Sequence, residues 1–393
     1  MGKLSVDRLP VEGRTVLVRV DFNVPLEGER VRDDTRIRAA LPTIEHLRGR
    51  KARVVLVSHL GRPKGKPNPA LSLKPVAGRL AELLGAPVAF STDVIGPGAR
   101  AVIEATAPGD VVLLENVRFH PEEEKNDPAF AKALADLADL FVSDAFGTVH
   151  RAHASTAGVA AHFPQAAAGF LIAAELEFLG KALAATEKPY VAILGGAKVG
   201  DKIAVIRSML DRADRLLIGG AMAYTFLKAQ GHQVGKSLLD EPHLGLAGEL
   251  MAEAKAKGTA LLLPSDHLVA AEVSPHAAAE PSGVDIAADR IGLDIGPASV
   301  AAYTKALADA RLVVWNGPMG MFELPAFREG TFAIARALAD SGAVSVVGGG
   351  DSVAAVNQAG VAGRISHIST GGGASLEFLE GKTLPGIAVL TDA

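Results

Sequence analysis

Arginine and histidine recur just past the short apolar runs of the first half of this 393-residue chain. Those run ends read Arg19-Val-Asp21-Phe-Asn23, Ser58-His59-Leu-Gly-Arg62, Glu115-Asn-Val-Arg118, and Ser143-Asp144 leading to His150-Arg151. Arg36, preceded by Thr35, follows a short loop. A guanidinium fork grips phosphate or carboxylate through paired hydrogen bonds. In an open parallel α/β sheet, groups past the carboxyl ends of the strands emerge on one edge, where ligands bind. Arg36, His59, Arg62, Arg118 and Arg151, beside Asp21 and Asn23, would then form a basket for a small anion with two negative ends. A single arginine after a strand is more often a surface ion pair. Four of them at successive strand ends argue for a site.

The second half ends its runs differently. They read Gly195-Gly-Ala-Lys198-Val-Gly-Asp201-Lys202, Gly219-Gly220, Pro264-Ser-Asp266, Asn316-Gly-Pro318 and Gly348-Gly-Gly-Asp351-Ser352. Glycine admits close backbone approach, and a helix starting just beyond offers free N–H groups to phosphate. Any one glycine pair is most simply a strand-to-helix turn. Three pairs, with Lys198 and Lys202 spaced one helical turn apart, favour a polyphosphate site. Familiar nucleotide patterns fail. Gly235-Lys236-Ser237 could end a P-loop, but the required first glycine falls on Gln230 and the segment follows a helical stretch. No Gly-x-Gly-x-x-Gly opens a helix after a strand. His243, His267 and His276 lack metal-ligand spacing and read as packing or surface residues. The acidic run Glu122-Glu-Glu-Lys125 reads as a solvated helix start.

The elements that must position these residues alternate short β-type runs with Ala/Leu-rich helical lengths, the pattern of α/β proteins with parallel sheets. Strands are expected at 15–20, 54–57, 87–90, 111–114 and 140–142, then at 190–194, 215–218, 260–263, 312–314 and 344–347. Most lack polar alternation, as strands buried on both faces do. Ten strands exceed one small sheet, so two doubly wound parallel-sheet domains are expected: 1–165 and 188–365. A linker helix over 166–187 would join them, leaving 366–393 as a tail.

Composition narrows the function classes. Residues 1–165 hold 22 Lys/Arg against 20 Asp/Glu, and the whole chain 40 against 44, a net charge of −4. A general nucleic-acid surface wants a strongly basic domain, so none is expected. The chain has no cysteine, which excludes disulfides, thiolate metal sites and a cysteine nucleophile. The longest apolar stretch, 152–174, is interrupted by His153, His162, Pro164 and Gln165. No membrane span of ~20 apolar residues is therefore expected, and the chain reads as soluble and cytoplasmic.

At these same residues the chain resembles the phosphoglycerate kinase family. The resemblance runs through Arg19-Val-Asp-Phe-Asn-Val-Pro25, Ser58-His-Leu-Gly-Arg-Pro63, Leu114-Glu-Asn-Val-Arg-Phe119, Asp144-Ala-Phe-Gly147 with His150-Arg-Ala-His153, and Gly195-Gly-Ala-Lys198 with Asp201-Lys202. It continues through Trp315-Asn-Gly-Pro-Met-Gly320, Glu323, Gly348-Gly-Gly-Asp-Ser352 and Ser369-Thr-Gly-Gly-Gly-Ala-Ser375. Ser143, Val149 and Gly200 depart from the expected pattern. The resemblance implies two domains facing across a cleft, with the tail returning to the first. It implies a monomer whose first half binds 3-phosphoglycerate. Asp21, Asn23 and Arg36 would take its hydroxyl and carboxyl end, and His59, Arg62, Arg118 and Arg151 its phosphate. It implies that the second half binds ATP or ADP with Mg2+, through Lys198, Lys202, Gly219, Gly292, Asn316, Glu323, Gly349, Gly350, Asp351 and Ser352. Asp351 would hold the metal. Arg36, Lys198, Gly372 and Gly373 would stabilise the group in transfer. Two other readings stay open: a kinase of another carboxylate, and a nucleotide-binding module without transfer.

Overall fold

The computed structural model describes residues 2–393. The chain divides into two compact units, the first reaching Glu177 and including Thr383–Ala393, the second holding Phe178–Lys382.

The first unit contains β1 (Thr15–Val20), a small antiparallel hairpin of β2 (Leu26–Glu27) and β3 (Arg30–Val31), then β4 (Arg53–Val57), β5 (Val88–Ser91), β6 (Val111–Leu114), β7 (Leu140–Asp144) and β8 (Ala166–Ala168). Six of these form a parallel sheet in the order β5-β6-β4-β1-β7-β8. Val16, Leu17, Val18 and Val20 of β1 are fully buried, which explains the run without polar alternation. Helices Thr35–Gly49, Lys74–Leu84, Gly96–Glu104 and Pro128–Ala135 fall between strands. Proline in the first turn starts the last three, and the Asp127 side chain accepts from the Phe130 N–H at 2.9 Å. The final residues lie along this unit, where the Leu4 N–H donates to the Thr391 carbonyl and the Thr391 N–H to the Ala166 carbonyl.

The second unit contains β9 (Tyr190–Leu194), β10 (Arg215–Ile218), β11 (Ala260–Leu262), β12 (Asp266–Ala270), β13 (Glu280–Gly283), β14 (Ile291–Ile295), β15 (Leu312–Asn316), β16 (Val344–Gly348) and β17 (His367–Ile368). Its main sheet is again parallel, in the order β11-β10-β9-β15-β16-β17. Val191, Ile193 and Trp315 lie in the core of its sheet.

The fold departs from the sequence pattern at several places. The segment 166–187 is not one helix. Ala166–Ala168 pairs with Phe141–Ser143 as β8, and only Phe170–Ala184 is helical. Alanine is the best helix former, yet pairing at the sheet edge overrides that weak preference. The second unit runs to Lys382 rather than 365, because β17 extends its sheet and the helix Gly373–Leu379 packs against the helix Ile203–Leu210. Strands β12, β13 and β14 form an antiparallel sheet that the apolar-run pattern misses. Their sequences carry Glu280-Pro-Ser-Gly283 and Asp294 instead of apolar runs. Glu123 is not solvated. It is fully buried and accepts from the Ser155 N–H at 2.8 Å and the Ser155 hydroxyl at 2.6 Å.

The ends of β9 and β15 pass so closely that only glycine fits at 195. A Cβ there would lie 1.9 Å from the Pro318 carbonyl oxygen and 2.5 Å from that of Gly317. Both contacts are backbone, so neither can yield by a rotamer change. Gly195→Ala should destabilise the second unit by about 1–3 kcal/mol, the usual cost of overpacking. Urea unfolding checks this, and a change under about 0.5 kcal/mol would show that the strand ends have room to part.

Candidate functional site

Because the first sheet is parallel, β1, β4, β6 and β7 deliver their following residues to one edge. Asp21 leaves β1 and is nearly buried. Its carboxylate accepts from Arg36 Nη1 at 3.1 Å, and the same nitrogen donates to the Asn23 carbonyl at 3.2 Å. The Asn23 side-chain oxygen accepts from the Gly61 N–H at 2.9 Å and so steadies the loop that carries His59 and Arg62. Arg118 Nη1 donates to the Gly61 carbonyl at 2.9 Å, and its Nε lies 3.3 Å from Glu124. Asn116 holds the same loop. Its amide donates to the Leu60 and Leu71 carbonyls, and its oxygen accepts from the Leu60 and Arg118 N–H groups.

His59 sits at the centre of the charge cluster. Burial holds its pKa well below the usual imidazole value, and Arg19, Arg118, Arg36 and Arg151 push it in the same direction. His59 is therefore neutral at physiological pH. His153 is likewise lowered, to about 4, chiefly by burial. The structure thus gathers Asp21, Asn23, Arg36, His59, Arg118 and Arg151. Arg62 follows the anchored Gly61 and stands exposed, with no ion pair among the described residues.

In the second unit the ends of β9, β10, β15, β16 and β17 also share an edge. Lys202 is tied into it. Its Nζ donates to the Gly195 carbonyl at 2.7 Å, the Asn316 carbonyl at 2.9 Å and the Asn316 side-chain oxygen at 2.7 Å. An ammonium has three donors, so all are occupied by protein oxygens. Burial lowers its pKa to about 8, against the opposing pull of Asp351 and Asp201. Lys198 is exposed. The expected helical spacing of the two lysines is not observed: Gly200–Lys202 is a 3-10 turn, and the α-helix begins at Ile203. Lys202 itself, with φ at −127°, leaves helical geometry just before that helix.

Gly349 has φ at +89° and precedes the helix Gly350–Gln358, whose first turn carries exposed Asp351 and buried Ser352. The Ser352 hydroxyl accepts from the Gly317 N–H at 2.6 Å and so joins β15's turn to β16's. Gly219 packs on Met319, and Gly292 packs on Tyr224 and donates its N–H to the Ser237 hydroxyl. Glu323 is exposed. Gly372 has φ at +52° and precedes the short helix Gly373–Leu379. Gly235-Lys236-Ser237 lies in a loop, as its lack of a P-loop pattern implies.

Several functional candidates went unread in the sequence. Leu238 and Met321 are large apolar side chains left exposed. They flank one strand: Ser237 accepts from Gly292, and the Met321 N–H donates to the Leu293 carbonyl at 2.7 Å. Exposure is a property of the fold, so no sequence signal marked them. Arg19 was visible in its motif but not as a buried side chain; it lies 3.3 Å from His59 Nδ1. Among the described residues, no group of three or more His, Asp or Glu is placed to hold a metal ion by itself.

Two parallel-sheet units, one edged by arginine and histidine and the other by glycine and lysine, define an α/β protein that gathers polar groups at its strand ends. A family model described as "Phosphoglycerate kinase" matches residues 6–382. A phosphoglycerate kinase of Moorella thermoacetica is 59% identical over 393 residues, covering 100% of both chains. One from Synechococcus elongatus is 58% identical, covering 99% of this chain and 98% of its own. The solved structure of phosphoglycerate kinase from Coxiella burnetii superposes with a TM-score of 0.90 at 45% identity, covering 98% of each chain. That of Pyrococcus horikoshii OT3 gives 0.87 at 34%, again with 98% of each. The chain belongs to the phosphoglycerate kinase family.

The lowered pKa of Lys202 has a signed consequence for stability. In the unfolded chain this lysine holds its proton to about 10.5, and in the fold only to about 8. Between those values the unfolded state binds more protons, so the lysine's contribution to stability rises with pH. Below about 8 the buried charge is a constant cost. Relative to Lys202→Met, the wild type should gain up to about 3 kcal/mol between pH 8 and 10.5. A difference that stays flat across that window in urea unfolding would show that Lys202 keeps its proton in the fold.

Proposed function

We propose that this chain moves a phosphoryl group reversibly between ATP or ADP and the C1 carboxyl of 3-phospho-D-glycerate, a step of glycolysis. Transfer to the carboxyl yields 1,3-bisphosphoglycerate. Family membership supports the reaction, and one observation carries the choice of substrate: neutral His59 set among Arg36, Arg118 and Arg151 beside a carboxylate already held by Arg36. A small anion with a phosphate at one end and a carboxylate at the other uses all of these groups.

The roles follow from chemistry. His59, Arg62, Arg118 and Arg151 take the 3-phosphate by charge-assisted hydrogen bonds. Asp21 and Asn23 accept and orient the hydroxyl end. Arg36, fixed by Asp21, lies toward the carboxyl. No general base is needed, because the attacking carboxylate is already ionised at neutral pH. The group in transfer carries its charge on equatorial oxygens, so catalysis is alignment plus positive charge. Arg36, Lys198 and the N–H groups of the Gly372–Gly373 turn supply that charge. Water must be kept from the reacting group, or ATP would be hydrolysed.

The nucleotide is held at the second unit's edge. Leu238 and Met321 offer apolar surface to the base, and Glu323 and Asn316 lie toward the ribose. Gly349 and Gly350 leave room for close approach, whereas Met319 and Tyr224 fill the space beside Gly219 and Gly292, which would meet the nucleotide through their backbone. Lys202 meets nucleotide phosphate by exchanging one of its protein oxygens. Asp351 suits Mg2+, because that ion is commonly held by one or two carboxylates with the remaining ligands from phosphates and water. A lone exposed aspartate on a helix's first turn fits that pattern. The ion supplies charge neutralisation on the phosphates. The family resemblance further supports a monomeric, cytoplasmic enzyme.

A coupled assay with ATP separates the rival carboxylates. Turnover is expected with 3-phosphoglycerate and not with acetate or glutamate, and the reverse order would overturn the substrate assignment. The exposed Lys198 acts mainly when charge accumulates in flight. Lys198→Ala should therefore lower kcat by about 10²-fold or more, while KM for ATP changes far less. A large rise in KM with kcat intact would make Lys198 a ground-state ligand and reverse the roles of the two lysines.

A further inference from the structure

The end of β1 carries a deeply buried cation, Arg19. Arg19 is 1% exposed, and each of its three side-chain nitrogens has a protein partner. Its Nε donates to the Ser155 hydroxyl at 2.8 Å, and its Nη1 donates to the Val20 carbonyl. Its Nη2 lies 3.3 Å from His59 Nδ1. Ser155 in turn donates to the fully buried carboxylate of Glu123 through both its N–H and its hydroxyl. A charge buried this deeply persists only with such partners. Glu123, acting through Ser155, and Asp21 are the counter-charges.

We infer that Arg19 is a positioning residue that fixes His59 as the single neutral tautomer protonated on Nε2, leaving that N–H to donate to the ligand's phosphate. A guanidinium has five donors and no lone pair. The Nη2 contact is therefore satisfied only when His59 Nδ1 accepts, and the ring proton must then sit on Nε2. The rival partner for Nδ1 is Asp21, whose Oδ1 is 3.8 Å away, beyond hydrogen-bond reach. That carboxylate already accepts from Arg36 and from the Asn23 N–H. The charged groups facing His59 include Arg19, Arg36, Arg118 and Arg151, and the carboxylate of Asp21. Four cations around the ring oppose a fifth, so the ring stays neutral through the physiological range.

The consequence is a basket with two kinds of donor. The arginines attract the phosphate by charge. His59 adds one directed, uncharged hydrogen bond whose aim does not change with pH. Arg19 is buried against the ring and works through it. The phosphate-binding role of that N–H rests on the proposed substrate, whereas the tautomer is a property of the unliganded chain.

Two-bond proton–nitrogen NMR of the uniformly 15N-labelled full chain reads the tautomer directly. The His59 signals are identified by their absence from His59→Gln. Between pH 6 and 8 the expected pattern is neutral imidazole protonated on Nε2. A ring protonated on Nδ1, or an imidazolium at pH 7, would overturn the inference whether or not any variant folds. In Arg19→Met the expected spectrum shows mixed tautomers, with KM for 3-phosphoglycerate raised about tenfold, the scale of one lost hydrogen bond. KM for ATP and kcat should stay within about threefold. Arg19→Lys, which keeps a donor-only cation, should restore the single tautomer. An unchanged His59 spectrum in Arg19→Met would sink the role of Arg19. Absence of turnover on 3-phosphoglycerate, with the Nε2 tautomer intact, would count against the substrate reading alone.

Discussion

Strand direction is the constraint on which everything else depends. Every pairing in both six-stranded sheets is parallel. Each strand therefore delivers its next residue to the same edge, and residues more than a hundred positions apart become neighbours there. Asp21, His59, Arg118 and Arg151 meet because β1, β4, β6 and β7 point the same way. Gly195, Asn316 and Lys202 meet for the same reason, and the hydrogen bonds from Lys202 to both strand ends record it. A parallel strand is buried on both faces, which leaves its carboxyl end as the place where polar chemistry can be displayed.

Gathering cations on one edge creates an electrostatic cost, and the two units meet it differently. In the first, buried carboxylates stand behind the arginines. Glu123 supports Arg19 through Ser155, and Asp21 holds Arg36. His59 responds to the same field by staying neutral. In the second, Lys202 is satisfied by three oxygens, two of them backbone carbonyls, and its proton is held less tightly for being buried. The first edge is therefore primed with fixed charge. The second is built from backbone shape, with Gly195, Gly317 and Gly349 allowing the turns to pass close to one another.

The sequence made the ten principal strands legible because buried parallel strands are unbroken apolar runs, as Thr15–Val20 and Tyr190–Leu194 are. It made the basket legible because arginines at strand ends are conspicuous once the sheet is taken as parallel. What it hid was burial. Glu123 reads as one more acid in a solvated run, and its burial depends on Ser155 in a distant loop. Ala166–Ala168 reads as helix, and only pairing with β7 makes it strand. The antiparallel sheet β13-β12-β14 is partly polar and short, so periodicity gave no warning of it. Leu238 and Met321 are ordinary apolar residues until the fold leaves them exposed.

The central claim is that the two edges bind different ligands: arginine and histidine take the phosphoglycerate, glycine and lysine the nucleotide. Arg62 offers the most direct test, because it is exposed and its removal disturbs no ion pair among the described residues. Calorimetric titration of the full chain should be run with 3-phosphoglycerate and with ADP, for wild type and Arg62→Ala. The account predicts that 3-phosphoglycerate binding weakens by roughly 10–150-fold, the loss of one charge-assisted grip, while the affinity for ADP stays within about twofold. Equal losses for both ligands, or no loss for either, would contradict it.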